Sequence, residues 1–417
     1  MPAWFLYPKF HWKNKHAVVI GAGIAGCQMA WHLSQKGWQV TLIERHEQVA
    51  TEASGNPAGV ISPKMTAIAS AGEDFYVSCF DYTLELLEEL KQQEKQLDWH
   101  ACGMMQLTHD QREESRWLAL KNRQFPEQFL QLLDEESTNK TAGIPLNYKA
   151  SFFPQAGWIN PRSFCAALLE NSSSRNIFTT EAISLEKQSN DWHVLDHQGH
   201  SITNAEVVII ANGKDLNRFA ESRELPTMPV AGQTTVTTAT EYSRQLKTAI
   251  GHEGYLTPVS DNTDQLTFGA SFERNVDEAS LKPEADRQNL EQLRKYLPQL
   301  ADSLEKLTSA HAAVRMTTPD RFPYVGGLPD AEFYTNNYDD LHQGKKWKTY
   351  PDAQYQQGLF VFGGFGSRGL TTSGLCAKLM TDTIDNNLDI QNREDSNRLI
   401  LQYCHPARFL IKQLKTG

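Results

Sequence analysis

Four apolar residues in a row, Ala17, Val18, Val19 and Ile20, open the first strongly patterned stretch of the chain. A run of this kind that ends in glycine predicts a strand buried on both faces. Apolar residues then recur at helical spacing over 24–36, and Gly37 follows as a stop, so a helix is expected there. A second strand is expected over 39–43, ending at Glu44. Strand, helix and strand in this succession make a parallel βαβ unit. Residues from about 80 to 135 are rich in Leu, Glu, Gln and Lys and predict helices. The pattern changes over 226–315. Val236, Leu256, Leu266 and Phe268 sit in β-rich runs parted by polar turns such as Ser260-Asp261-Asn262. Residues 205–213 read as another buried strand ending in a turn, and 358–362 as a last strand running into a glycine-rich loop and a helix.

These elements imply an α/β fold with an α+β second lobe. A Rossmann-like lobe is expected to be discontinuous, over 14–95, 150–225 and 316–417, because its strands come from the start, middle and end of the chain. A substrate lobe built on an antiparallel sheet is expected over 96–149 and 226–315. The polar, aliphatic-poor segment 331–357 reads as a surface insertion. The first seven residues read as an extension tied to the first strand.

Composition narrows the classes. The chain has 417 residues and a formal net charge of −10, which disfavours a broad, non-specific nucleic-acid binder. No apolar run is long enough to span a bilayer, and the N-terminus lacks a basic segment before its short apolar stretch, so a cytoplasmic location is expected. The six cysteines include no C-x-x-C pair, and no His or Cys cluster has metal-ligand spacing, so no metal site is expected.

Gly21-x-Gly23-x-x-Gly26 follows the first strand and opens the helix. Gly21 permits a tight turn, Gly23 lets a pyrophosphate approach the backbone, and Gly26 lets helix and strand pack closely. Ile24 and Ala25 supply the unpaired N–H groups at the positive end of the helix. Glu44 stands where a carboxylate meets the ribose hydroxyls of an adenosine, with Arg45 beside it. The fingerprint does not recur, which favours FAD over a flavoenzyme that also binds NAD(P)H. The C-terminal run Gly363-Gly364-Phe365-Gly366-Ser367-Arg368-Gly369-Leu370 joins a strand to a helix whose N-terminus suits the pyrimidine edge of a flavin. Ala211 and Gly213, at the end of the 205–213 strand, complete the expected cofactor wall.

The fingerprint, the segment Ala53-Ser54-Gly55-Asn56-Pro57-Ala58-Gly59 with Ser62-Pro63, and the C-terminal glycine loop resemble the D-amino-acid oxidase/glycine oxidase superfamily of flavoenzymes. Several stretches are closer to one branch, the FAD-dependent oxidoreductase domain of the bifunctional tRNA 5-methylaminomethyl-2-thiouridine biosynthesis family (MnmC). They include Phe153 to Trp158, Pro229-Val230-Ala231-Gly232-Gln233, Gly254-Tyr255-Leu256-Thr257-Pro258, Val314-Arg315, Thr318, Asp320, Gly366 to Leu370 and the basic tail over 409–415. In that family a methyltransferase domain precedes the FAD domain. Here the fingerprint comes within twenty residues of the start, so only the oxidative half is expected, with a separate methyltransferase as a candidate partner.

The resemblance implies oxidation of the carboxymethylaminomethyl arm of a tRNA wobble uridine to aminomethyl: hydride transfer to flavin N5, imine hydrolysis to glyoxylate, and reoxidation by O2. It places Arg315 on the substrate carboxylate and Tyr255 in the substrate pocket, with Arg368 facing flavin or substrate. Ser54, Gly55 and Asn56, with Gly364, Gly366, Ser367, Arg368, Gly369 and Leu370, are implied to hold FAD. A free-standing oxidase of glycine, sarcosine or a D-amino acid would use the same residues, and the acidic balance favours it. For tRNA, Lys345, Lys346, Trp347 and Lys348, and Arg408, Lys412 and Lys415 in the tail, are the candidate phosphate contacts.

Overall fold

The strand His16–Ile20 lies inside a six-stranded sheet, with Gln39–Ile43 on one side and Val207–Ile210 on the other, both parallel to it. The order runs Tyr324–Pro329, Tyr355–Gly363, Val207–Ile210, His16–Ile20, Gln39–Ile43, Ser174–Ile177. Every pairing is parallel except that of Tyr324–Pro329 with Tyr355–Gly363. The apolar run is buried because both faces are covered. Ala17 and Val19 join one core cluster with the helices, while Val18 and Ile20 join another. That second cluster includes Trp192 and Val194 of a three-stranded meander, Ser184–Gln188, Asp191–Leu195 and Ser201–Ala205. The period-two alternation of a strand thus sorts four consecutive apolar residues between two cores. This structure, a computed structural model, describes residues 1–93, 95–260, 262–304, 306–345, 347–386 and 396–416.

The second large sheet runs Glu273–Arg274, Met228–Thr238, Gln265–Gly269, Tyr255–Leu256, Ala249–Gly251, Met104–Leu107, Ala150–Phe153, Gln131–Leu133. The long strand Leu307–Thr317 pairs antiparallel with Met228–Thr238. Its pairings are antiparallel apart from Ala249–Gly251 on Met104–Leu107. The molecule is therefore α/β at its nucleotide-type sheet and α+β at the second.

Two stretches differ from the pattern-based expectation. The region read as helical over 80–135 holds the helices Ala71–Gln92 and Gln111–Lys121, but the strands Met104–Leu107 and Gln131–Leu133 interrupt it. Both short strands pair with Ala150–Phe153, a partner distant in sequence that no local pattern announces. The segment 331–357 carries a helix, Ala331–Tyr338, and buries Tyr334, Tyr338, Leu341 and Ala353 with Phe5, Ala407 and Ile411. The Tyr334 hydroxyl donates to the Trp4 carbonyl at 2.7 Å, and the Ala353 N–H to that of Ala3 at 3.1 Å. The first residues are thus tied to this segment rather than to the first strand. Its core is aromatic, so a count of aliphatic residues does not reveal it. The turn position Asp261 lies outside the described residues. Among the described residues no helix is long and apolar enough to cross a membrane.

Candidate functional site

A cavity of about 580 Å³ runs between the two large sheets, from the fingerprint turn to Tyr255 and Arg315. The backbone shape of its first wall requires glycine. Gly21 has φ +104°, and a Cβ there would lie 2.7 Å from the Ala211 carbonyl oxygen. At Gly26 a Cβ would lie 1.8 Å from the Gly21 carbonyl oxygen. Gly26 does not line the cavity; it lets the helix Ile24–Gln35 seat against the turn.

Gly23 is the N-cap of that helix and contributes no side chain. The Ile24 N–H donates to Ser54 Oγ at 3.0 Å, and Ile24, Ala25 and Ser54 line the cavity. Glu44 is held by two backbone donors, the Ala22 N–H at 2.7 Å and the His46 N–H at 2.9 Å. Its carboxylate is thereby fixed in the wall, with lone pairs left over for ribose hydroxyls. Arg45 also lines the cavity, with its guanidinium held by carboxylates of the protein. It pairs with Asp215 and Glu52, each at 2.7 Å. Burial alone would lower its pKa, but the two carboxylates outweigh burial and raise it.

Ala211, Gly213, Gly364, Gly366, Ser367 and Leu370 line the cavity, as do Arg368 and Gly369. Gly364 (φ +76°) and Gly366 (φ +58°) turn the chain from its strand into the helix Gly369–Ile384. A Cβ on Gly369 would lie 3.2 Å from Ile24 Cγ2, so the starts of the two helices adjoin. Two sets of helix N-terminal N–H groups therefore converge on one cavity, which suits a ligand with phosphates and a second electron-rich edge. Gly55 lies outside the lining. A Cβ there would meet His311 Cε1 at 2.7 Å, so its smallness serves packing on the Leu307–Thr317 strand.

At the far end Arg315 and Tyr255 come from different strands of the second sheet. Among the described residues no carboxylate lies within ion-pair distance of Arg315. Burial lowers its pKa, and the Tyr255 phenol opposes this. Gly232 makes room for it, since a Cβ there would lie 2.8 Å from Arg315 Nη1. The Tyr255 hydroxyl donates to the Ala58 carbonyl at 2.9 Å and accepts from Asn56 Nδ2 at 2.8 Å. Burial raises the Tyr255 pKa. Asn56 lines the cavity, but its amide is engaged in orienting Tyr255, a role the sequence did not suggest. Arg368 lies 5.5 Å over the Tyr76 ring, and burial lowers its pKa. Lys64, Arg116 and Phe272 also line the cavity. Sequence reading missed all three, and no motif marks them.

The basic residues picked out by their runs do not join this site. Lys345 and Lys348 both pair with Asp340, at 3.1 and 2.8 Å, and Lys346 lies outside the described residues. Trp347 is 82% exposed. Arg408 pairs with Asp320 at 2.8 Å, and Lys415 lies 4.8 Å over the Trp4 ring. Lys412 is exposed.

Comparison with known proteins agrees with this geometry. The family model described as "FAD dependent oxidoreductase" (DAO) matches residues 16–383. The tRNA 5-methylaminomethyl-2-thiouridine biosynthesis bifunctional protein MnmC of Pseudomonas syringae pv. tomato is 36% identical over 99% of this chain. That of Pseudomonas aeruginosa is 34% identical over the same share. The chain spans 62% of the length of each of these relatives. Among solved structures, glycine oxidase from Geobacillus kaustophilus superposes with a TM-score of 0.72 at 18% identity, over 89% of this chain and 94% of that one. Iminodiacetate oxidase from Chelativorans sp. BNC1 gives 0.72 at 20% identity, over 90% and 97%. These two likenesses are of fold. The chain belongs to the FAD dependent oxidoreductase family, and FAD is its cofactor.

Proposed function

We propose that this protein oxidises the carboxymethylaminomethyl arm of a modified tRNA wobble uridine, leaving the aminomethyl group and releasing glyoxylate. The observation that carries this reading is Arg315, a half-buried guanidinium in the cavity lining with no carboxylate partner among the described residues. A buried cation left unpaired is costly, and a carboxylate is the group whose geometry matches its fork. The arm is a glycine whose nitrogen carries the uridine methylene group. The curated relatives, named for tRNA 5-methylaminomethyl-2-thiouridine biosynthesis, supply the macromolecule to which that glycine is attached.

FAD, when bound, supplies the acceptor for two electrons, and dioxygen restores it with formation of hydrogen peroxide. The residues proposed to hold it are Gly21, Gly23, Ile24, Ala25, Glu44 and Ser54 on the fingerprint side. On the other side they are Ala211, Gly213 and the run Gly364 to Leu370. Arg315 fixes the carboxylate of the arm. The hydroxyl of Tyr255, held by Asn56 and Ala58, shapes the pocket beside it and stays protonated because burial raises its pKa. Orientation and exclusion of water are the protein's contribution. The change balances. The N–CH2 unit of the arm loses two electrons and two protons, water adds across the resulting C=N bond, and the C–N bond breaks to give amine and aldehyde.

The test incubates the FAD-loaded protein without oxygen, separately with tRNA carrying the arm, with glycine and with sarcosine. Flavin bleaching and nucleoside mass spectrometry are followed. Bleaching by the modified tRNA with gain of the aminomethyl nucleoside is expected. Bleaching by free glycine or sarcosine alone would assign the site to a small-amine oxidase instead.

A further inference from the structure

We propose that the rim of the cavity, formed by Lys64, Arg112, Arg116, Arg321 and Arg368, docks the sugar-phosphate backbone of an RNA. This rests on the tRNA reading and says where the strand lies. The five cations come from four separate parts of the chain, and Tyr76 gathers three of them. Lys64 Nζ lies 4.9 Å and the Arg368 guanidinium 5.5 Å from its ring centroid, while its hydroxyl donates to the Arg321 carbonyl at 3.3 Å. Arg112 and Arg116 stand one helical turn apart on Gln111–Lys121.

Little compensates this charge. Arg116 pairs with Glu113 at 2.7 Å. Among the described residues Lys64, Arg112, Arg321 and Arg368 have no carboxylate within ion-pair distance. Asp110 caps the helix carrying Arg112, Glu73 is paired with Arg123, and Asp320, next to Arg321 in the chain, is paired with Arg408. Burial, and after it Arg368, Arg321, Arg116 and Arg112, hold Lys64 down to about 8. In a chain of net charge −10, three cations of the runs visible in the sequence are paired, Lys345 and Lys348 with Asp340 and Arg408 with Asp320, while four of the five cations of this cluster have no carboxylate partner among the described residues. Like charges held together are relieved by a polyanion.

The cluster also has a direction. Lys64, Arg116 and Arg368 line the cavity, whereas Arg112 and Arg321 do not line it and are exposed. The positive strip therefore continues from the cavity onto the surface, beyond the reach of a cofactor bound inside. A strand whose phosphates follow the strip delivers one base, with its arm, to the opening. Phe272, 60% exposed and also lining the cavity, offers a ring for stacking an unpaired base.

The experiment measures binding of the FAD-loaded protein to a short synthetic RNA hairpin with an unmodified uridine in its loop, over a range of salt. The variant is R112Q/R321N, which leaves the cavity lining intact. Affinity is expected to fall roughly tenfold, and the slope of log K against log salt to flatten by about 1.5. Flavin bleaching by a small N-alkylglycine stays within about twofold of the parent. If the parent binds the hairpin and the variant binds it with equal affinity and slope, the docking site is wrong and the tRNA reading stands. If the parent shows no salt-sensitive binding, both fall together.

Discussion

Asn56 Nδ2 donates to the Tyr255 hydroxyl at 2.8 Å, joining the loop that follows Ser54 to the second sheet across 199 positions of sequence. Asn56 also donates to the Ala58 carbonyl at 2.8 Å, and its Oδ1 accepts from Thr234 Oγ1 at 3.0 Å. Removing this amide leaves the half-buried Tyr255 hydroxyl and the buried Thr234 hydroxyl short of a partner. Asn56→Ala should cost about 1–3 kcal/mol in chemical denaturation. Tyr255→Phe, which removes only the hydroxyl, should retain FAD and raise KM about tenfold with the pH profile unmoved. A shifted profile in Y255F would mean that the phenol exchanges a proton during turnover.

Arg315 carries opposite expectations for activity and for stability. Arg315→Ala should lower kcat/KM roughly 100-fold, the loss of two charge-assisted hydrogen bonds, with flavin absorbance unchanged. Arg315→Met removes a half-buried charge that has no carboxylate partner among the described residues and should raise the melting temperature while abolishing turnover. A destabilised R315M would show that the guanidinium has a structural partner and is not waiting for a ligand.

Two glycines separate packing from conformation. A Cβ at Gly26 would overlap the Gly21 carbonyl, so Gly26→Ala should lose bound FAD, read from the ratio of flavin to protein absorbance. Gly37 has φ +75°, and among the described residues no atom outside its chain neighbours and its own helix's backbone lies within 4 Å of the place a Cβ would take there. Gly37→Ala should therefore cost only about 1 kcal/mol for the left-handed backbone and keep its FAD.

The same contrast explains what the sequence made legible. Gly21, Gly23, Gly26 and Glu44 sit within one βαβ unit, so their spacing in the chain is their spacing in space. Arg315 and Tyr255 lie sixty positions apart and meet only because their strands belong to one sheet; the resemblance to a family named them, and no local pattern did. The cation cluster was illegible for a related reason. Sequence reading finds charge in runs, and Lys345 and Lys348 of such a run share Asp340, a few residues away. Lys64, Arg321 and Arg368 are isolated in sequence and converge through Tyr76. Gly55 shows the converse, since it was named for a ligand and lies outside the cavity lining, packed on His311.

Acid should weaken the fold before its carboxylates protonate. His32, His252 and His405 are buried, and burial is the first cause that holds each below the ordinary histidine value, to about 4, about 4 and about 3. His405 shows why. Its Nδ1 accepts the Ala407 N–H at 3.1 Å, so a proton there would face a donor, and its Nε2 meets the Tyr355 hydroxyl at 3.0 Å. In the unfolded chain these rings take up protons near pH 6.5; in the folded chain they do not. The unfolded state therefore binds more protons below pH 6.5. The contribution of the three rings is complete above that value and is lost as pH falls toward 4, at up to about 1.4 kcal/mol per pH unit for each. Carboxylates such as Glu73 and Asp320, whose pKa values are lowered, add to the loss only at more acid pH. Denaturation curves should show stability falling throughout between pH 6.5 and 4.5. His405→Gln should start less stable at neutral pH and fall less steeply, and an equal slope in H405Q would remove His405 from the acid transition.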